Sequence, residues 1–229
     1  MLELFPEGYA ETPDGGLVEL AAFTDEAGAE RMRASFGDVR VEAVPPGWED
    51  EWKRFHRPVE IGSLWVGPPW ETPAAGLLPV VIDPGRAFGT GAHPTTRLCL
   101  ELLQDLERGS LVDLGCGAGV IAIAAVRLGF APVLAVDLDD AAIEATARNA
   151  EANAVDVEAR LLDLASEEPP SADTAVANID LRTISKLRPA SGTLVTSGYY
   201  AGDRPHVSGL EHVDRRVQGE WAADLFRRE

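Results

Sequence analysis

Cysteine is almost missing from this sequence: of 229 residues, only Cys99 and Cys116 carry a thiol. Both sit in apolar or glycine-rich segments without paired spacings, which excludes a disulfide framework and a cysteine-based zinc site, and no bound metal is expected. Long apolar runs are missing too, and nothing approaches the roughly 20 residues that a membrane-spanning helix needs. The opening residues MLELFPEG lack a basic stretch followed by an apolar one, so a cytoplasmic protein without membrane association is the expectation. Positive charge is scarce. Lysine and arginine number 20 against 38 aspartates and glutamates, a formal charge of −18. Nucleic acid would meet a repulsive field over most of such a surface, and direct nucleic-acid binding is not expected, whereas a basic protein would be drawn in at long range.

What is present is an ordinary globular composition, 45% hydrophobic and 25% charged, in a chain long enough for one sizeable α/β core and a small appendage. The texture changes near Pro45, Pro46 and Gly47. Before that point, residues 17–23 read as a strand, 25–36 as a helix with Ala27, Met32 and Phe36 on related faces, and 39–44 as a second strand. This small β-α-β module over residues 1–45 is too short for a core of its own. Residues 46–79 read as a connector rich in tryptophan and proline, with Trp48, Trp52, Trp65 and Trp70 being four of the chain's five tryptophans. Their rings either pack the connector against its neighbours or form an aromatic surface for a substrate.

From residue 80 to residue 229, apolar strands alternate with helices. Strands are expected over 111–114, 132–137, 157–162, 174–177 and 193–197, and helices over 120–128 and 139–153, the latter started by acidic side chains. Two further strand-like runs, 213–217 and 221–226, close the chain. Repeated β-α-β units with right-handed crossovers make a doubly wound, mostly parallel sheet with helices on both faces. Ligands of such sheets bind at the carboxyl ends of the strands.

Val112 to Val120 read VDLGCGAGV, a strand running straight into a glycine turn and an apolar helix. Glycine at 115 and 117 permits positive φ and a close approach of backbone amides, and the helix start offers unsatisfied N–H groups, so a nucleotide-like ligand is expected. Asp137 ends the next strand, where its carboxylate can accept hydrogen bonds from both hydroxyls of a ribose. Asp163 ends the third, within reach of an adenine edge or its amino group. The dinucleotide fingerprint Gly-x-Gly-x-x-Gly wants a glycine at position 120, which is valine here. Asp113 would oppose a pyrophosphate and can serve the ammonium end of a methionine moiety, directly or through water. S-adenosylmethionine therefore fits better than NAD, with a purely structural turn as the remaining reading.

Upstream of this turn, Asp83 to Thr96 read DPGRAFGTGAHPTT, and downstream Ala177, Asn178 and Ile179 close the fourth strand. In this order and at these distances, the segments resemble the ribosomal protein L11 methyltransferase family (PrmA), from about Trp48 to Asn178 and more loosely at Gly219 to Trp221. The resemblance implies a class I methyltransferase (Rossmann-like) domain over residues 80–229 with a small N-terminal α+β module for substrate recognition. It also implies S-adenosyl-L-methionine as cofactor and N-methylation of amino groups, lysine or N-terminal, of ribosomal protein L11, a basic substrate. Thr96, Gly115, Asp137 and Asn178 stand at the family's cofactor-contacting positions, and Asp113, Gly117 and Asp163 join them from the turn and strand ends. Phe88, Gly89, Thr90 and Gly91 are a candidate lid of small residues over the donor. Asn178 is also the candidate positioning residue for catalysis, its amide accepting from an incoming amine or donating to the cofactor carboxylate. His93 is either locked by loop hydrogen bonds or active in proton transfer. No side chain stands out as a general base.

The family opens with a fuller β-α-β-β-α-β module, whereas a single such unit precedes the connector here, and the segment between residues 178 and 193 is short. Methylation of another protein or a small amine, and non-catalytic binding of an adenosyl ligand, are the competing readings.

Overall fold

Strands β1 (Ala10–Asp14) and β2 (Leu17–Ala21) pair antiparallel from Ala10↔Ala21 to Asp14↔Leu17, with Gly15 and Gly16 between them. Helix α1 (Glu26–Phe36) follows. The computed structural model describes residues 10–14, 17–21, 26–37, 39–41, 57–83 and 91–228, and these first elements belong to one of two compact units, Met1–Asp50. The expected strand-helix-strand order differs from what is found. A hairpin precedes the helix, and its first strand, AETPD, escapes a pattern reading because proline and acidic residues are poor strand formers. Residues 39–41 carry no regular structure, and the rest of the expected second strand lies outside the described residues. On α1, Ala29 and Met32 are buried whereas Phe36 is half exposed.

The second unit spans Glu51–Glu229. It begins with β3 (Val59–Ile61), β4 (Leu64–Gly67) and β5 (Leu78–Val81), in which β3 runs antiparallel and β5 parallel to β4. Then come α2 (Pro94–Gln104), β6 (Leu111–Leu114), α3 (Val120–Leu128), β7 (Val133–Asp137), α4 (Asp140–Ala152), β8 (Glu158–Leu161), β9 (Thr174–Asn178), α5 (Leu181–Ile184), β10 (Thr193–Tyr200), β11 (Glu211–Gln218) and β12 (Trp221–Arg227). The seven-stranded sheet has the order β11-β12-β10-β9-β6-β7-β8. Its strands from β8 to β10 are parallel, and β12 lies antiparallel between β10 and β11. The chain leaves β6 for β7 and β8, then returns to β9 on the other side of β6. That reversal places a topological switch point at the carboxyl ends of β6 and β9, where doubly wound folds open their ligand crevice.

Burial follows the period-2 alternation of a strand covered on both faces. Val112 and Leu114 point into one core layer with Ile184, Leu187, Leu194 and Phe226, and Leu111 points into the other with the apolar faces of α2 and α3. Helix α3, sequence VIAIAAVRL, is buried over six consecutive residues, as a helix apolar on all sides must be, because it packs between the large sheet and β5.

Residues read as a connector thus do structural work from residue 57 onward. Ile61, Leu64 and Val66 are buried in the same core as α2 and α3, together with Val80 and Ile82 of the domain that follows, and Trp65 is buried within β4. Strands of three and four residues among prolines carry too few alternations to read as strands. Trp48 and Trp52 lie outside the described residues. The small sheet is fastened by Asn153, which is 4% exposed. Its Oδ1 accepts from Val81 N–H at 2.9 Å, and its Nδ2 donates to Val81 O at 2.6 Å and to Asn149 O at 2.7 Å. Replacing Asn153 with alanine leaves two partly buried backbone groups of β5 unpaired, and a loss of about 1–3 kcal/mol in stability is expected from urea unfolding. A loss below about 0.5 kcal/mol would show that water replaces the amide.

Candidate active site

The turn after β6 is shaped by contacts that leave one residue type possible. Gly115 and Cys116 both donate their N–H groups to Val136 O, at 2.8 and 3.0 Å. Gly115 has φ +83°, and a Cβ there would lie 2.3 Å from Ile179 Cγ2, so any side chain is excluded by both strain and space. Gly119, φ +82°, then turns the chain into α3. Two helix-borne side chains hold the carbonyls of the turn. Thr146 Oγ1 donates to Gly117 O at 3.0 Å, and Asn149 Nδ2 donates to Ala118 O at 2.9 Å.

Asp137 is fixed at the end of β7. Its Oδ2 accepts from Gly117 N–H at 3.0 Å and its Oδ1 from Asp139 N–H at 3.1 Å, so each oxygen keeps lone pairs for a further donor. At the end of β9, Asn178 Nδ2 donates to Thr96 Oγ1 at 3.3 Å, which joins two residues 82 positions apart. Asp163 follows β8 and accepts from Ala165 N–H at 2.8 Å and Ser166 Oγ at 2.9 Å.

These parts surround one cavity of about 250 Å³ at the switch point. Six of the expected residues line it: Thr96, Gly115, Gly117, Asp137, Asp163 and Asn178. The chemistry of the lining fits an adenosyl ligand, with carboxylates for hydroxyl and amino groups and the apolar Leu138, Leu162 and Ile179 for a flat base. Gly91 is buried, with φ +82°, and lies outside the lining. Phe88, Gly89 and Thr90 lie outside the described residues.

With that geometry in place, comparison with known proteins settles the family. The model of the family described as Ribosomal protein L11 methyltransferase (PrmA) matches residues 18–223. The chain belongs to that family. A Ribosomal protein L11 methyltransferase of Symbiobacterium thermophilum is 37% identical over 238 residues, covering 93% of this chain and 78% of the relative. One from Pectobacterium atrosepticum is 42% identical over 185 residues, covering 78% of this chain. The match spans only 61% of that relative's own length. The crystal structure of the ribosomal protein L11 methylase from Lactobacillus delbrueckii subsp. bulgaricus superimposes with a TM-score of 0.66 at 26% identity, covering 76% of this chain and 100% of that one. The fold is accordingly that of a class I methyltransferase.

Within this family frame, Asp113 stands apart from the other expected residues. It does not line the cavity. Its side chain is 1% exposed on the face of β6 that α3 covers, and its Oδ2 accepts from Ala122 N–H at 3.2 Å. Burial, aided by the charge of Asp137 and opposed by the Ala122 hydrogen bond, leaves its carboxyl pushed up to about 7. His93 is the N-cap of α2, with Nδ1 2.8 Å from Thr95 Oγ1, and its ring meets Trp221 edge-on at 4.8 Å. Burial lowers its pKa.

Pattern reading missed Asp180, which lines the cavity and caps α5 by accepting from Arg182 and Thr183 N–H groups at 3.0 and 3.1 Å. The Thr183 hydroxyl, 2.6 Å away, is the chief cause of its lowered pKa. Thr146, Asn149 and Asn153 were missed as well, although polar residues three and four apart on the buried side of an alanine-rich helix are a legible signal.

Asp113 also makes stability depend on pH. Between the unfolded value near 4 and the folded value about 7, the native state holds a proton that the unfolded state lacks, so this group's contribution falls as pH rises and its full penalty is present above 7. Asp113→Asn should therefore gain stability relative to the unmodified protein by on the order of a few kcal/mol between about pH 5 and 8 in urea unfolding. A constant gap across that range contradicts the assignment.

Proposed function

We propose that this protein is an S-adenosylmethionine-dependent methyltransferase acting on amino groups, lysine or N-terminal, of ribosomal protein L11. The supporting observation is the convergence of Thr96, Gly115, Gly117, Asp137, Asp163 and Asn178 on one cavity at the switch point, in a chain of this family. When bound, the cofactor supplies a methyl group already activated as a sulfonium, so the protein's part is alignment rather than covalent chemistry. Asp137, held by Gly117 and Asp139, takes the ribose hydroxyls. Asp163 reads the adenine side, and Asp113 serves the methionine end at a distance.

Asn178 is the positioning residue for the amine, its side chain braced by Thr96. The attacking amine must be neutral, which at pH 7 costs about 4.6 kcal/mol for a lysine and about 1 for an α-amino group. Carboxylates at 137, 163 and 180 attract the cationic form to the cavity that Asn178 lines, and exclusion of water there on binding would favour loss of its proton. The surplus of 38 acidic over 20 basic side chains steers a basic ribosomal protein toward the surface, and a cytoplasmic location follows from that substrate. Among the described residues no helix is long and apolar enough to cross a membrane.

A second reading, methylation of another protein or of a small amine, is favoured by the match spanning only 61% of the Pectobacterium relative's length. Mass spectrometry of purified ribosomal protein L11 after incubation with labelled donor separates the two, since methyl groups on its amines support the first and an unmodified L11 supports the second. Asp137→Ala should weaken donor binding by about 1–3 kcal/mol in calorimetry, through loss of the ribose clasp and of the Gly117 anchor, and unchanged affinity would remove Asp137 from the site. A chain lacking Met1–Asp50 should keep donor binding and lose methylation of L11. Retained methylation would assign recognition to the catalytic unit itself.

A further inference from the structure

The cavity residues leave Asp113 without a contact of its own, although it stands on the strand that leads directly into the glycine turn. Its Oδ2 accepts a single hydrogen bond, from Ala122 N–H, and its Oδ1 is buried with no hydrogen-bond partner among the described residues. The groups around it can be named element by element. Ala135 of β7 and Val176 of β9 are its register partners, and Asp137 closes β7. Ala122 faces it from α3, Cys116 from the turn and Cys99 from α2. Of these only Asp137, Cys99 and Cys116 titrate. Burial and the nearby Asp113 push the Cys116 thiol up to about 12 and the Cys99 thiol higher still, so both are neutral near pH 7. None of these facing groups is a cation.

An anion in that position would be fully buried, held by one amide and repelled by a second carboxylate, whereas the protonated acid loses little there. A positive charge placed in the cavity above the turn reverses the balance, because its attraction acts across a dry interior. We propose that Asp113 is a proton switch beneath the cofactor cavity, neutral in the free protein and ionised, with its proton passed to solvent, when the cationic methionine end of S-adenosylmethionine occupies the cavity. The inference rests on the cofactor reading given under Proposed function. The O–H bond of the carboxyl is the only bond broken, and the buffer takes the proton. Methyl transfer removes the sulfonium charge, so Asp113 regains a proton more readily over the thioether product, and the carboxyl thereby discriminates donor from product.

Calorimetry of the full chain at pH 7, in buffers of contrasting ionisation enthalpy, counts the protons released per ligand bound. The expected release is about half a proton for S-adenosylmethionine, given a free carboxyl at about 7, less for S-adenosylhomocysteine and none for adenosine, which lacks the charged end. Affinity for S-adenosylmethionine should rise by up to about tenfold per pH unit from about pH 5 to 7, and folded Asp113→Asn should show neither the release nor the slope. Infrared spectroscopy of the unmodified protein gives a readout independent of that variant, a protonated-carboxyl band that disappears with S-adenosylmethionine and persists with adenosine. Equal proton release for donor and adenosine, tight donor binding with no release, a persistent band, or an unchanged pH slope in Asp113→Asn each overturns the proposal. Failure of both adenosyl ligands to bind at saturating concentration overturns the cofactor reading instead, and so the two failures are distinguishable.

Discussion

The hydrogen bond from Gly117 N–H to the Asp137 carboxylate holds the rest of the site in register. It ties the turn after β6 to the end of β7, and a bond from an amide to an ionised acceptor is roughly twice as strong as a neutral one. The turn must also pass beneath Ile179, which leaves no room for a side chain at 115. A carboxylate on one side and an isoleucine on the other thus define the width of the crevice. The same carboxylate that shapes the turn faces the cavity, so in the proposed function architecture and ligand recognition share one group and cannot be separated by substitution at 137.

Helix α4 extends this constraint outward. Its buried polar side chains and its C-cap Asn153 form a ladder in which Thr146 holds Gly117 O, Asn149 holds Ala118 O, and Asn153 holds both backbone groups of Val81. Asn149 Oδ1 also accepts from Asp83 N–H at 3.1 Å, two residues beyond the end of β5. Buried amides of this kind are costly unless every partner is present, so the ladder fixes the small sheet and the glycine turn relative to one another.

Much of this was legible in the residues. The turn VDLGCGAGV sits between a fully buried strand and a helix that is apolar except for Arg127, and those two patterns are unambiguous because each differs from any exposed element. Asp137, Asp163 and Asn178, which line the cavity, were legible as candidates because acidic or amide side chains stand at or just beyond the ends of strands of the same sheet. Asp113 was also singled out, yet its position below the cavity rather than in its wall follows from strand parity, since residues 111 and 113 share a face and that face is covered by α3. The small sheet β3 to β5 was illegible for another reason. Its strands hold only three or four residues each, and what makes them strands is the surface of α2 and α3 against which they pack. The hairpin of β1 and β2 did carry a signal, Asp14-Gly15-Gly16, but the acidic, proline-bearing first strand masked it.

The site combines two kinds of carboxyl group whose contrast decides what it can hold. Asp137, Asp163 and Asp180 each accept backbone N–H groups at the cavity wall, which orients their carboxylates toward a ligand. Asp113 has one such donor and is buried, so in the proposed switch its charge depends on what occupies the cavity. At an effective dielectric of about 20, opposite unit charges 4 Å apart attract by about 4 kcal/mol, and like charges repel equally. A pyrophosphate would face that repulsion from the wall and would hold Asp113 protonated as well. A ligand that is cationic at one end and a neutral diol at the other gains from the wall and from Asp113 together, and this asymmetry favours an adenosyl sulfonium over a dinucleotide on physical grounds independent of the missing third glycine.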